Sequence, residues 1–269
     1  MLPQAVARRK IVSDRFAVIM PIGREILTGR ILDTNSQWLA QRLFERGVRV
    51  ARITTSDDQV EAVAREVRRA RMDGASILLT TGGLGPTPDD ITLFGVAKGL
   101  GRPCVIVPLA LEHVRARYAQ LYREGRVDSP DLNPDRQKMA FMPRGAAIIE
   151  NPVGTAPGAE LHVGRLSVFC LPGVPAEMKA MAEAGVFPKV KGEGVLVRLS
   201  IEVKTRDESS LAAVIRALQP AFPDVHFKPD PKGFGKERVM VVHLESRAAD
   251  RQTGDARLRE AADALAGAL

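Results

Sequence analysis

The chain of 269 residues has few of the residue types that form disulfides and histidine-based metal sites. Its two cysteines, Cys104 and Cys170, lie in apolar surroundings without a Cys-x-x-Cys spacing, so we expect reduced core thiols in a cytoplasmic protein. The four histidines show no metal-ligand spacing, and no serine lies in a Gly-x-Ser-x-Gly motif. The sequence therefore argues against a disulfide-stabilised domain, a histidine-ligated metal site and a serine hydrolase.

Long apolar runs and dense basic clusters are also missing. No apolar stretch approaches the roughly 20 residues that a membrane span needs, and the run at 16–20 is too short for a signal-peptide core. The net charge of +7 suits anionic ligands, whereas nucleic-acid binding usually requires a basic patch. Residues 232–236 are predicted to form a hairpin loop. We therefore expect neither a membrane nor a nucleic-acid partner.

The segment 80–92, TTGGLGPTPDDIT, is the most informative part of the chain. A short apolar run at 76–81 enters a glycine turn, and an amphipathic stretch follows at 91–100. A strand that enters a glycine turn and opens a helix directs backbone N–H groups at one point, as in phosphate sites. The adjacent Asp89 and Asp90 are natural Mg²⁺ ligands, so the segment predicts a phosphate and metal loop. The alternative is a tight turn with an aspartate N-cap.

The first hundred residues alternate between strand and helix patterns. Strands are predicted at 16–20, 48–53 and 76–81. One helix is predicted to open with a capping box at 34–37, and another with Asp57 or Asp58 as its cap. This βαβαβ order predicts parallel strands, with the loops 21–34 and 82–90 at one edge, where ligands bind in such sheets.

The remainder divides near residues 186–194, which separate a predicted domain at 1–190 from one at 191–269. Before this boundary, the patterns predict helices at 111–123, 137–141 and 175–184, and strands at 146–149, 161–163 and 166–171. After it, they predict strands at 195–203, 225–228 and 238–244, and helices at 208–218 and 257–269. The second domain is thus expected to be a βαββα unit without a catalytic constellation.

Five motifs carry a family resemblance: GREILTG at 23–29, DTN at 33–35, TTGGLGPTPDDIT at 80–92, NPVGTAPG at 151–158 and LPGVPAEM at 171–178. Together they resemble the CinA family (competence/damage-inducible protein A), whose main domain belongs to the molybdopterin-binding MogA/MoaB/MoeA superfamily. The resemblance implies a three-layer α/β fold, with a mostly parallel sheet, helices on both faces and a small C-terminal KH-like α+β domain. The deamidase domain of longer relatives is not in this sequence, so we do not expect nicotinamide-nucleotide deamidation.

The resemblance further implies a cytoplasmic homo-oligomer that acts as a pyrophosphatase on ADP-ribose or a related nucleotide diphosphate. Its divalent metal would be Mg²⁺, Mn²⁺ or Co²⁺. One alternative is a non-catalytic protein that binds a molybdopterin-type pterin phosphate or a nucleotide. Another is a molybdenum-cofactor biosynthesis enzyme that adenylylates the pterin.

The resemblance also implies which residues form the site. Glu25, Asp33 and Asp90 would be catalytic, with Asp89 or Asp90 as the metal ligand. The ligand-binding residues would be Asn35, Thr81, Gly82, Gly83, Leu84, Gly85, Thr87, Gly154 and Thr155. Arg24 departs from the family, which commonly has Asn or Asp there; an arginine could neutralise phosphate or displace the metal.

Overall fold

The computed structural model describes residues 15–192, 194–203, 208–232 and 239–269. They form two compact units, one built from 15–39 and 49–189, the other from 40–48 and the described residues after 189. The helix Thr34–Glu45 contributes residues to both units. The division into one domain at 1–190 and another at 191–269 stays a prediction. The hairpin predicted at 232–236 lies outside the described residues from 233 onward.

The first unit contains alternating strands and helices. Its strands are β1 (Phe16–Pro21), β2 (Arg49–Ile53), β3 (Ile77–Thr81), β4 (Cys104–Ile106), β5 (Phe141–Pro143), β6 (Ala147–Ile149), β7 (Gly158–Val163) and β8 (Leu166–Leu171). Its helices are α1 (Arg24–Leu27), the first part of α2 (Thr34–Glu45), α3 (Val60–Met72), α4 (Thr92–Leu100), α5 (Pro108–Arg123), α6 (Pro134–Lys138) and α7 (Pro175–Met181). A π-helical turn at Ala182–Val186 and a 3-10 turn at Phe187–Lys189 follow α7.

The central sheet has the strand order β2-β1-β3-β8-β7-β6 in the described part of this unit. The first four strands are parallel to one another, and β7 pairs antiparallel with both β8 and β6, which confirms the predicted mostly parallel α/β fold. All five residues of β3 are buried, as the continuous apolar run of a central parallel strand requires. Pro21 pairs with Thr81, which in turn pairs with Leu171. The loops that follow β1, β3 and β8 therefore start side by side at one sheet edge.

Two glycines bring helices α3 and α4 into close contact. A Cβ on Gly95 would lie 2.5 Å from the Cβ of Val63, and one on Gly99 would lie 2.6 Å from the Cβ of Val67. Real Cβ atoms do not approach this closely, so larger residues would force the helices apart. The two valines are completely buried in the core of the unit. This close packing of α3 against α4, which we call the glycine seam, fixes the position of α4 relative to the glycine turn that precedes it.

The helix caps differ from those predicted. Asp33 accepts a hydrogen bond from the Ser36 amide at 2.9 Å, so it caps α2, and the predicted capping box at 34–37 is wrong. Neither Asp57 nor Asp58 caps α3, which begins after Gln59 without a side-chain cap. Asp58 instead accepts from the Arg24 amide at 2.9 Å, because the loop after β1 brings that amide within reach.

Other boundaries shift for local reasons. The short helix predicted at 137–141 is α6, which begins earlier because Asn133 caps it by accepting from the Arg136 amide at 2.9 Å. Residue Phe141 then pairs in β5 with β4, and neither strand was predicted. These strands have three residues each, too few to give a recognisable pattern.

The second unit contains the predicted βαββα order. Its elements are β9 (Val195–Val203), α8 (Glu208–Leu218), β10 (Val225–Lys232), β11 (Val239–Ala248) and α9 (Arg251–Gly267). The strands form an antiparallel sheet in the order β10-β11-β9. Helix α9 starts earlier than predicted because Asp250 caps it, accepting from the Thr253 amide at 2.8 Å. Buried Leu211, Leu244 and Leu258 lie in its separate core.

Both cysteines are free thiols of the first unit; Cys170 is buried and Cys104 is half-buried. Burial raises the pKa of Cys170 to about 12 and that of Cys104 to about 11, so both stay protonated near neutral pH. Within the described ranges, no helix combines the length and the apolar character needed to cross a bilayer.

Candidate functional site

The loops after β1, β3 and β8 enclose a cavity of about 490 Å³ within the first unit. It gathers most of the side chains and glycines that were predicted for the site. Those in its lining are Glu25, Asp33, Asn35, Thr81, Gly82, Gly83, Leu84, Gly85, Asp89, Asp90 and Thr155. Thr87 and Gly154 were also predicted but are not among its lining residues. The loops at 21–34 and 82–90, which are distant from each other in the sequence, thus meet at this cavity.

The glycine turn carries a row of unpaired backbone donors in the lining of the cavity. Gly82 and Gly83 adopt left-handed conformations, with φ of 98° and 66°. Among the described residues, no atom accepts a hydrogen bond from the amides of Gly83, Leu84 or Gly85, although all three residues line the cavity. Successive free N–H groups in such a turn form a concave anion site. The local backbone is thus suited to hold phosphoryl oxygens.

Thr92 fixes the shape of this turn and was not predicted as a site residue. Its hydroxyl donates to the Gly82 carbonyl at 2.8 Å, and its amide donates to the Gly83 carbonyl at 3.1 Å. A Cβ on Gly83 would lie 2.4 Å from the Thr92 hydroxyl oxygen, so the position admits only glycine. The sequence signal was a threonine at the start of the helix after the turn.

The aspartate pair is organised by Thr87. The Thr87 amide donates to Asp90 Oδ2 at 2.8 Å, and its hydroxyl oxygen lies 2.7 Å from the same atom and within hydrogen-bond distance of Asp89. The Thr87 hydroxyl is also the main reason why the pKa of Asp89 lies below its ordinary value. Lys138 donates to the Thr87 carbonyl. Thr87 is therefore a positioning residue in this structure, because its hydroxyl is engaged with the carboxylates.

The opposite wall carries Glu25, Asp33 and Asn35. Asp33 is engaged as the cap of α2, whereas the Glu25 carboxylate accepts no hydrogen bond from any described residue. Asn35 is nine-tenths buried, and its Nδ2 donates to the Gly173 carbonyl at 2.8 Å. Its Oδ1 has no partner among the described residues. The carboxylate of Glu25 is thus more available to a ligand than that of Asp33.

A third wall is held together by Asn151 and Glu177, neither of which was predicted. Asn151 is 1% exposed; its Oδ1 accepts from the amides of Val153 and Gly154, and its Nδ2 donates to Glu177 Oε2 at 2.7 Å. Arg117 donates to the carbonyls of Gly154 and Val153 at 2.8 and 2.6 Å. Asn151 and Glu177 lie inside the motifs at 151–158 and 171–178. Their position as polar residues of these motifs was the signal that could have identified them as site residues.

The charge of the cavity is opposite to that of the whole chain. Its described lining contains no lysine or arginine, but it contains Glu25, Asp33, Asp58, Asp89, Asp90 and Glu177. Arg24 lies instead along an adjoining cavity of about 480 Å³. The pKa of Asp58 is raised, first by burial and further by the charges of Glu25, Asp89 and Asp57. These carboxylates repel an anionic ligand, and the charge of a cation would offset that repulsion.

Carboxylate oxygens of this kind suit a divalent cation. No group of three or more Asp, Glu, His or Cys side chains is arranged as a ligand set in the described part of the chain. Mg²⁺ does not require one, since it commonly takes one or two carboxylates and completes its shell with water and substrate phosphates. Asp89 and Asp90, beside the free amides, are therefore compatible with a cation shared with a phosphorylated ligand.

Comparison with known proteins places the cavity within a recognised domain. Residues 18–192 match the model of a family described as "Probable molybdopterin binding domain". Protein TK1472 of Thermococcus kodakarensis is 40% identical over 238 residues, which cover 88% of this chain and 94% of that protein. A protein of Aeropyrum pernix is 40% identical over 264 residues, which cover 94% and 96%.

A solved structure supports the same assignment. The crystal structure of the protein CinA with unknown function from Thermoplasma acidophilum is 37% identical to this chain, with a TM-score of 0.58. The match covers 64% of this chain and 96% of the other. Every described residue that lines the cavity lies within the span of the family match.

Proposed function

The chain is a CinA-like protein of the molybdopterin-binding domain family, and on this premise we propose that it hydrolyses ADP-ribose or a related nucleotide diphosphate with a divalent metal. One observation carries the proposal. Three consecutive free amides, at residues 83–85, lie in the same cavity as the carboxylates of Asp89, Asp90 and Glu25. Cleavage of a P–O–P bond needs neutralised phosphoryl oxygens and a positioned water, and this cavity offers groups for both.

Each residue then has a defined task. The amides of residues 83–85 donate to the oxygens of one phosphoryl group. Asp89 and Asp90 would hold the cation, which would supply positive charge to neutralise the phosphoryl oxygens. Glu25 accepts a proton from the attacking water as the new P–O bond forms and the bridging P–O bond breaks. Asp33 is the weaker candidate for this task because one of its oxygens caps α2. ADP-ribose would yield AMP and ribose 5-phosphate.

The second candidate is a protein that binds a pterin phosphate or nucleotide without cleaving it. The family description favours a pterin-type ligand, and the same amides would hold its phosphate. A related possibility within this family is adenylyl transfer to the pterin. The binding protein and the adenylyltransferase would both use the amides of residues 83–85 to hold phosphate, but neither requires Glu25 to position water.

AMP release separates these functions. Purified protein is incubated with ADP-ribose and Mg²⁺, Mn²⁺, Co²⁺ or EDTA, and AMP is quantified by chromatography. We expect AMP with at least one metal and none with EDTA. The Glu25→Gln variant should bind ADP-ribose but release AMP at least about a hundredfold more slowly. Tight binding without AMP in any metal would support the binding protein, and an adenylylated pterin formed from ATP would support the transferase.

A further inference from the structure

Glu177 has a carboxylate that is held in the wall of the cavity. The proposed reaction assigns no role to this carboxylate. Its Oε2 accepts from Asn151 Nδ2 at 2.7 Å, and Asn151 is almost completely buried. Among the described residues, none donates to Oε1. One oxygen of the carboxylate is therefore anchored, while the other remains available to a ligand in the cavity that Glu177 lines.

The surrounding loop preserves the position of this carboxylate. A Cβ on Gly154 would lie 1.9 Å from Glu177 Oε2, so the absence of a side chain at 154 leaves room for the carboxylate. Asn151 accepts from the Gly154 amide at 2.7 Å, and Arg117 donates to the Gly154 carbonyl at 2.8 Å. These bonds hold both polar groups of Gly154. The loop and the carboxylate thus form one preorganised wall.

The cavity consequently presents two kinds of hydrogen-bonding surface. The free amides at 83–85 are donors and suit an anion, whereas Glu177 is an acceptor and repels one. A ligand that satisfies both must carry a phosphoryl group and, at another position, hydrogen-bond donors. The cis-diol of ribose and the 2-amino and N3–H edge of a pterin both offer such neighbouring donors.

We propose that Glu177 is a specificity-determining residue that binds neighbouring O–H or N–H donors of a phosphorylated ligand. This inference rests on the proposed function only in that the ligand's phosphate occupies the glycine turn. Asn151, Gly154 and Arg117 are positioning residues for this contact. Hydrogen bonds to a charged acceptor contribute enough to selectivity that losing them weakens binding roughly ten- to hundredfold.

The test compares ligands with and without donors on the same variants. Isothermal titration with Mg²⁺ measures binding of pyrophosphate, ribose 5-phosphate and 6-hydroxymethylpterin phosphate. The variants are Glu177→Gln and Gly154→Ala, with exposed Glu112→Gln as the matched control. We expect Glu177→Gln to weaken the donor-bearing ligand roughly ten- to hundredfold, while pyrophosphate changes less than about twofold. Gly154→Ala should cause the same loss, because the added methyl group would displace the Glu177 carboxylate without removing it.

Two analogues identify the source of the donors. In the wild type, 2-deoxyribose 5-phosphate should bind more weakly than ribose 5-phosphate if the diol is recognised. The lumazine analogue, which has oxygen in place of the 2-amino group, should bind more weakly if the pterin edge is recognised.

Failure of the proposed function and failure of the role of Glu177 give different results in this experiment. A wild-type protein that binds neither pyrophosphate nor any donor-bearing ligand would overturn both the proposed function and the role of Glu177. The role of Glu177 alone would be overturned by a wild type that binds pyrophosphate but no donor-bearing ligand. It would also be overturned by a Glu177→Gln variant that loses nothing or weakens all ligands equally.

Discussion

Asp90 stabilises the turn after β3 and is also a proposed ligand of the cation. Its Oδ2 accepts from the Thr87 amide at 2.8 Å, and a Cβ on Gly85 would lie 2.6 Å from the same oxygen. The turn after β3 is therefore built around this carboxylate. Asp90 does not cap α4, which begins after Ile91 without a side-chain cap, so the alternative of an aspartate N-cap is wrong. Stabilising the turn and binding a cation do not exclude each other, since Oδ1 is a second acceptor. The two tasks can be separated by the choice of substitution.

We predict that Asp90→Asn lowers AMP release at least about a hundredfold, because the charge that holds the cation is removed. The Asn oxygen can still accept from Thr87, so the free energy of unfolding should change by less than about 1 kcal/mol. Asp90→Ala should lose activity and also about 1–2 kcal/mol of stability, since the hydrogen bonds between Thr87 and the Asp90 carboxylate are lost. Activity assays and urea unfolding measure both effects, with exposed Asp135→Asn as control. Near-wild-type turnover in Asp90→Asn would place the cation elsewhere.

At the scale of elements, the glycine seam between α3 and α4 determines where the glycine turn lies. Helix α4 starts at Thr92, which holds the carbonyls of Gly82 and Gly83. Because Gly95 and Gly99 let α4 approach α3, the first residue of the helix reaches the turn. The packing of two helices thus supports the conformation of a loop that neither helix contains.

We predict that Gly95→Ala lowers the free energy of unfolding by about 1–3 kcal/mol, since its Cβ would lie 2.5 Å from that of Val63. The higher helix propensity of alanine offsets this only in part. Gly267→Ala is the matched control, because no atom lies within 4 Å of its added Cβ. It should leave stability unchanged or raise it by up to about 1 kcal/mol. Equal effects of the two variants in thermal unfolding would contradict the seam.

The elements also show what a sequence can predict. The core strands β1, β3 and β8 are apolar runs whose residues reveal their burial directly, so their positions were predicted to within a residue. Asp58 was misassigned as a cap because its partner, the Arg24 amide, lies 34 positions away. Asn151 and Glu177, which are 26 positions apart, were missed for the same reason. Such pairings depend on the tertiary fold and leave no local pattern.

At the scale of the molecule, the two units have separate cores. The core of the first contains Leu78, Leu93 and Val168, whereas that of the second contains Leu211, Leu244 and Leu258. All described residues that line the candidate cavity belong to the first unit. Ligand affinity should therefore depend on the packing of one core and be insensitive to the other.

We predict that Leu258→Ala, at a position 1% exposed in α9, destabilises the second unit by about 2–5 kcal/mol through the cavity it leaves. The Kd for pyrophosphate with Mg²⁺ should nevertheless change less than about twofold, because the cavity lining is unaltered. Leu84→Ala is the contrasting variant, since Leu84 is buried in the first unit and also lines the cavity; it should weaken binding and stability together. Denaturant unfolding and calorimetric titration give both quantities. A loss of affinity in Leu258→Ala greater than about fivefold, at a temperature where the first unit remains folded, would show that the second unit contributes to the ligand site.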